Sequence, residues 1–127
     1  MKPPIQPATV ALQFEDRFVP LILNGTKRQT LRKTRHCRPG DAMVLQDTAN
    51  KTFATVQCSA VLPVRIYRFG VYQDGVSVPL TEFAKAEGFA SWWDQQDWLD
   101  QHNQTIPARG ALERWCHRWN VKGEAQT

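Results

Sequence analysis

The sequence predicts an α+β domain, a curved or barrel-like sheet of about six strands carrying three short helices. Three observations predict it. Segments rich in β-branched and apolar residues recur along the first two thirds, separated by Gly, Pro, Asn and Asp. Two later stretches carry helix start signals, and Gly88 stops the first of them. The chain has 127 residues and is 42% apolar, enough for one domain around one core.

The proline-rich residues 1–7 read as a loose arm, and the domain is expected to span 8–121. Residues 8–14 (ATVALQF) read as a first strand. Residues 17–24 read as a short helix: Asp16 can cap it, Pro20 is tolerable in its first turn and Gly25 stops it. Residues 28–32 read as a short strand. Pro39-Gly40-Asp41 is a turn signal, and 42–47 follows as a strand. Residues 53–64 read as a long strand, with Pro63 near its end, where an edge tolerates it. Residues 65–72 continue the sheet, and Asp74-Gly75 turns the chain back through 76–78. Thr81 can cap a helix over 82–87 that Gly88 ends. Ser91 can cap a second over 92–102, with Asp94 three residues on. Trp92, Trp93 and Trp98 read as packing residues of that helix. Residues 111–121 fit two patterns: Trp115, His117, Trp119 and Val121 alternate as in a strand, whereas Ala111, Trp115, Cys116 and Trp119 fit a helix face. Residues 122–127 read as a flexible end.

Net charge is +4 with a pI near 9.2, which favours anionic partners. The charge is unevenly placed. Between Lys27 and Arg38 there are six Lys/Arg residues and no carboxylate, while Asp94, Asp97 and Asp100 lie far along the chain. No apolar stretch approaches the roughly 20 residues that span a bilayer, and Met1-Lys2-Pro3-Pro4 lacks a signal peptide's apolar stretch. A soluble, cytoplasmic protein with no membrane partner is the expectation. Cys37, Cys58 and Cys116 are odd in number and widely spaced, which indicates idle thiols rather than disulfides. His36-Cys37 and Cys116-His117 have an unusual spacing for metal ligands, so no metal and no organic cofactor is expected.

The basic run opens with Gly25-Thr26-Lys27-Arg28-Gln29-Thr30-Leu31-Arg32. It joins a cationic surface, suited to a phosphate-bearing ligand, to a lysine three residues from a threonine hydroxyl. Residues three apart on a regular strand face opposite sides, so Lys27 must lie in the loop ahead of the strand for the two to cooperate. Gly25 makes that loop plausible.

Phe18-x-x-x-Ile22-Leu23-x-Gly25-x-Lys27-x-x-Thr30-x-Arg32, followed by Gly40-Asp41, resembles the ASCH domain family, and so does the order of elements over roughly 8–121. The resemblance implies a β-barrel related to the PUA fold, with helices at its mouth and a cleft lined by the Gly-x-Lys motif. It also implies a final strand that rejoins the barrel, which favours strand for 112–120. Many family members have glutamate where this chain has Thr30. The Lys-x-x-Thr version is similar to the small bacterial N4-acetylcytidine amidohydrolases, in which a lysine, a threonine and a glutamate form the catalytic set. That implies Lys27 and Thr30, with Glu87 of Ala84-Lys85-Ala86-Glu87 as the third member and Glu82 as its competitor. The longer region over 88–110, with its three tryptophans, departs from the family pattern.

Amide hydrolysis needs a nucleophile, a base and an acid for the leaving amine. Thr30 supplies a hydroxyl that is unreactive without a base. Lys27 is a base only if burial and neighbouring cations lower its pKa from about 10.4. Glu87 can orient Lys27 or carry the proton to the amine, yet its charge would raise the lysine pKa. Arg28, Gln29 and Arg32 are the candidate substrate-binding residues, with Arg32 set to grip a carbonyl, ribose or phosphate. Backbone amides over Lys27 to Gln29 are candidate oxyanion donors. Lys33 and Arg35 are expected to face solvent.

Three functions compete at this stage. The first is an amidohydrolase acting on N4-acylated cytosine nucleosides or nucleotides. The second is an RNA-binding module or metal-independent single-strand ribonuclease, whose phosphate contacts would be strongly salt-dependent. The third is a regulatory domain that binds a small ligand without turnover.

Overall fold

The computed structural model describes residues 8–120. The loose ends expected over 1–7 and 122–127 lie outside them, as does Val121. The described residues build one mixed sheet of seven strands with three short α-helices, so the α+β expectation holds. Among the described residues, no helix is long and apolar enough to cross a membrane.

The sheet is organised by one long strand, β4 (Thr52–Tyr67). Its first part pairs antiparallel with β3 (Ala42–Gln46), which pairs parallel with β1 (Thr9–Gln13). Its second part pairs antiparallel with β7 (Leu112–Trp119) and with β5 (Gly70–Gln73). β6 (Val76–Val78) lies on β5, and β2 (Gln29–Arg32) lies on β7. The ambiguous C-terminal stretch is therefore a strand. A register shift between Cys58 and Ala60 kinks β4 where its partner changes from β3 to β7.

Four expectations are corrected. The sheet has seven strands rather than six, because 65–72 is not one segment: β4 runs to Tyr67, turns at Arg68-Phe69 and returns as β5. Pro63 sits inside β4 opposite Trp115, not near its end. The first helical segment is a 3-10 turn (Asp16–Phe18) that leads into α1 (Val19–Leu23), with no side-chain cap bond from Asp16. α2 (Leu80–Ala86) starts one residue before Thr81 and has Pro79 at its cap position. The second expected helix is α3 (Trp92–Gln101), capped as read: Ser91 Oγ accepts the Asp94 N–H, and Asp94 Oδ2 accepts the Ala90 N–H.

The expected barrel is also not closed. Among the described residues β1 and β2, the two ends of the strand path β1-β3-β4-β7-β2, do not pair. One side chain crosses the seam: Arg32 Nη2 donates to the Gln13 carbonyl at 2.8 Å, and its guanidinium carbon lies 5.0 Å from the centre of the Phe14 ring. A guanidinium and an aromatic ring thus occupy the place where ladder bonds would close the sheet.

Two apolar clusters fill the molecule. One gathers Leu12, Phe14, Phe18, Met43, Leu45 and Trp119. The other gathers Val64, Ile66, Val71, Phe83, Leu99 and Cys116 beneath α2 and α3. The Gly40-Asp41 turn is locked to the N-terminal strand, because the buried Asp41 carboxylate accepts the N–H groups of Ala8 and Arg38. Those two donors hold its pKa below the usual value. All three thiols are buried, and burial pushes Cys37 up to about 12 and Cys116 further, which keeps them unreactive.

Candidate active site

The open seam forms the mouth of a cleft of about 290 Å³. Phe14 from the end of β1 lines it, as do Thr30 and Arg32 from β2, Lys27 from the loop before β2, and Glu87 from the end of α2. Its far wall comes from α3 and the residues that follow. A second, wider hollow of about 610 Å³ lies on the β4–β5 hairpin, and among the described residues no buried ionisable side chain lines it.

The end of α2 positions the charged residues. A helix leaves its last carbonyls unpartnered. Here Gly88, at φ +96°, makes the left-handed stop, and the Phe89 N–H returns to the Ala84 carbonyl. The Ala86 carbonyl accepts the Arg28 N–H at 2.8 Å, and the Glu87 carbonyl accepts the Lys27 ammonium in a short hydrogen bond. The Lys27 N–H in turn reaches back to the Leu21 carbonyl of α1 at 2.9 Å. Lys27 therefore lies in the loop ahead of β2, pinned between two helix ends. Its amine stands 4.7 Å from the centre of the Phe18 ring and 5.9 Å from that of Phe14.

Lys27 and Glu87 are each 3% exposed, and Thr30 is 6% exposed. Burial pushes Lys27 down to about 8; the Glu87 carboxylate opposes that shift and Arg32 adds to it. Burial pushes Glu87 up to about 7, against the pull of Lys27, Gln29, Arg32 and Arg118. Glu87 Oε2 is buried and has no hydrogen-bond partner among the described residues. A lysine lowered and a carboxyl raised meet near neutral pH, the range in which both exchange protons readily. Glu82, the competing carboxylate, is exposed in the first turn of α2 and does not line the cleft.

The basic run divides by burial. Lys27 and Arg32 turn inward, while Arg28, Lys33, Arg35 and Arg38 are exposed. Arg32 has a buried Nε that finds no acceptor among the described residues. Arg28 Nε donates to the Gly25 carbonyl, and neither Arg28 nor Gln29 lines the cleft. Gln29 is buried and opposes Arg118 of β7, whose Nε donates to Gln29 Oε1 at 3.2 Å. The expected oxyanion donors are partly committed, since the Lys27 and Arg28 amides already serve helix carbonyls. Thr30 opposes His117 across the β2–β7 ladder, and no side-chain hydrogen bond links Thr30 to Lys27 among the described residues. His117 is fully buried: the His36 N–H donates to its Nε2, and burial pushes its pKa down to about 4, so it is a neutral packing residue. Among the described residues no three His, Cys, Asp or Glu side chains converge as metal ligands.

Sequence reasoning missed the far wall. Trp98 Nε1 donates to Glu15 Oε1 at 2.7 Å, and the ring stacks on His102 at 3.9 Å. His102 Nε2 contacts the same Glu15 oxygen at 3.1 Å. Phe18, Phe89 and Trp98 pack edge-on or tilted around this point. The i, i+4 spacing of Trp98 and His102 was the available signal. Of the other two tryptophans, Trp92 is core and Trp93 is exposed.

No protein-family model matches the sequence, and no curated protein does. Solved structures do match. An ASCH domain from Lactobacillus crispatus JV V101 superposes with a TM-score of 0.61 at 19% identity, over 90% of this chain and 79% of that one. The chain has the ASCH-domain fold. A DUF984 protein from Enterococcus faecalis V583 has the same fold, with a TM-score of 0.55 at 16% identity, over 94% of this chain and 82% of that one. Within this ASCH fold, the cleft with its buried lysine and glutamate lies at the unpaired seam of the barrel.

A buried lysine beside a buried carboxyl, whose side chains form no salt bridge among the described residues, is not needed to hold such a fold. Removing two charges from water costs several kcal/mol each, and apolar or neutral replacements of the same shape commonly stabilise by about 1–4 kcal/mol. The double variant Lys27→Met, Glu87→Gln is therefore expected to unfold at a temperature equal to or above that of wild type. A clear drop in its melting temperature would show that the pair serves stability rather than chemistry.

Proposed function

We propose that this cleft hydrolyses the exocyclic amide of an N4-acylated cytosine nucleoside, releasing the carboxylic acid and the cytosine nucleoside, with N4-acetylcytidine as the reference substrate. The observation that carries the reading is the burial of Lys27, Thr30 and Glu87 together in one small cleft, where burial pushes the lysine pKa down and the carboxyl pKa up. The cleft volume is at the lower end of the roughly 300–1,000 Å³ typical of small-molecule sites, which favours a nucleoside over a polymer.

In this reading the one-proton state of the pair contains a working minority form, a neutral Lys27 amine beside a protonated Glu87. The amine keeps a hydrogen bond to the Glu87 carbonyl through one N–H and offers its lone pair to Thr30. Thr30 Oγ attacks the acyl carbon as its proton passes to Lys27. The oxyanion meets the unpartnered Arg32 Nε. Collapse breaks the C–N4 bond, and the departing nitrogen takes the proton of Glu87. Water then attacks the threonine ester and gives a proton to the Glu87 carboxylate. Thr30 Oγ leaves with the proton held by Lys27, so both groups return to their starting state.

The sign of the pH dependence follows. Below about 7 the pair holds two protons and Lys27 is no base; above about 8 it holds none and Glu87 is no acid. A plot of kcat/KM against pH is expected to be bell-shaped, with limbs near these values. A rate that climbs steadily to pH 10 would exclude Glu87 as the acid.

The exposed Arg28, Lys33, Arg35 and Arg38 favour one second reading, in which the acylated cytosine sits in RNA or the domain simply binds RNA. Incubation with free N4-acetylcytidine, with chromatography for cytidine and acetate, separates the readings. Turnover that changes little between about 50 and 200 mM salt is expected for the nucleoside hydrolase, whereas RNA engagement would fall by orders of magnitude. No cytidine from folded protein would overturn the hydrolase reading.

A further inference from the structure

Behind Glu87 lies a chain of polar side chains drawn from β2, β7 and β5, with β4 between the last two. Cys116 Sγ accepts from Gln73 Nε2 at 3.7 Å. Gln73 Oε1 accepts a short hydrogen bond from Arg118 Nη2, and Arg118 Nε donates to Gln29 Oε1 at 3.2 Å. Gln29 and Gln73 are both buried, and Arg118 is half-buried between them. With its oxygen held by Arg118, the Gln29 carboxamide must point its NH₂ group the other way. That nitrogen is buried and unbonded among the described residues, and so is Glu87 Oε2. A buried donor and a buried acceptor left open in the same region each cost about 1–3 kcal/mol unless they serve one another or a ligand.

We propose that Arg118 is a positioning residue for the Glu87 carboxyl, acting through Gln29: its guanidinium fork fixes the amide so that NH₂, not the carbonyl oxygen, is presented to Glu87. This deepens the hydrolase reading and rests on it for its catalytic consequence. The geometry of the relay stands apart from any substrate. An amide free to flip would turn a carbonyl oxygen on the carboxylate, disfavour the charged form and leave Glu87 holding its proton to higher pH. The other charged or titratable groups facing Glu87 are Lys27 from the loop before β2, Arg32 from β2 and Cys116 from β7. Gln29, read from the sequence as a substrate contact, becomes the intermediate link.

The test is a carbon-13 NMR titration of the Glu87 carboxyl in free protein, with glutamate labelled and the resonance assigned by Glu87→Gln. Arg118→Met is expected to raise the midpoint, and Gln29→Leu is expected to raise it similarly. The double variant should move it no further than either single one, because both break the same link. Arg118→Lys, which keeps the charge and loses the fork, should behave as Arg118→Met does. An unmoved midpoint in Arg118→Met would overturn the proposal. Additive shifts, or full restoration by lysine, would also overturn it by showing a bare charge effect. Should Arg118→Met fail to fold, Gln29→Leu against wild type carries the same decision. The readout needs no turnover, so failure on N4-acetylcytidine with a raised midpoint would reject the hydrolase and keep the relay. If turnover occurs, Arg118→Met should lower kcat, leave KM within about twofold and move the acid limb of the pH profile upward.

Discussion

Lys27→Met is expected to lower kcat/KM for N4-acetylcytidine by about 10²–10⁴-fold, the range that a positioned acid–base group contributes. Methionine keeps most of the aliphatic stem and removes the amine that stands over the Phe14 and Phe18 rings. The variant should keep its fold, because the groups left behind can adjust. Glu87 is already raised toward 7 by burial and will hold its proton once the ammonium is gone. Arg28 is a useful contrast, since it belongs to the same basic run and lies outside the cleft. Arg28→Gln should change kcat/KM by less than about threefold, within the small effects usual for surface substitutions. Equal losses in both variants would mean that the run acts as a charged surface and that Lys27 has no special role.

The second large effect is expected at a residue with no functional group. A Cβ on Gly88 would stand 3.0 Å from Lys27 Cδ, 3.1 Å from Phe18 Cδ1 and 3.3 Å from Lys27 Cβ. The backbone there is also left-handed, at φ +96°. Gly88→Ala thus meets two penalties: about 1–2 kcal/mol for the conformation, and the displacement of the Lys27 stem. For a domain of this size the first alone lowers the melting temperature by about 4 °C per kcal/mol. A shift of Lys27 by about 1 Å from its reacting geometry would cost about 10²-fold in rate. Melting and kinetics on the one variant separate the two effects. Gly75→Ala is the control, since Gly75 has φ +80° and nothing lies within 4 Å of the added carbon. It should lose comparable stability and keep its activity. A Gly88→Ala enzyme with wild-type turnover would show that Lys27 does not need its present position.

Local signals made much of this molecule legible. The α+β class followed from strand-like segments and two capped helices, and Ser91 and Asp94 make the bonds their spacing implied. Gly25 and the period of a strand were enough to place Lys27 in a loop, and Gly88 was readable as a helix stop. What escaped depends on contacts between residues far apart in sequence. The length of β4 was missed because Pro63 reads as a strand end, whereas here its carbonyl accepts the Asp74 N–H. The open seam was invisible because nothing local says that Arg32 will reach the carbonyl of Gln13 instead of solvent. The splitting of the basic run into inward and outward cations depends on register with β7, which faces Gln29 with Arg118 and Thr30 with His117. The Trp98, His102 and Glu15 wall joins residues more than 80 positions apart.

The most direct test is the charge of Lys27 itself. A nitrogen-15 NMR titration of the lysine amines, with Lys27 assigned by Lys27→Met, reports when that amine becomes neutral. The expected midpoint is near 8, with a second inflection near 7 as Glu87 ionises beside it. A single midpoint at or above 10, like that of a solvated lysine, would leave Lys27 a permanent cation and contradict its role as the base.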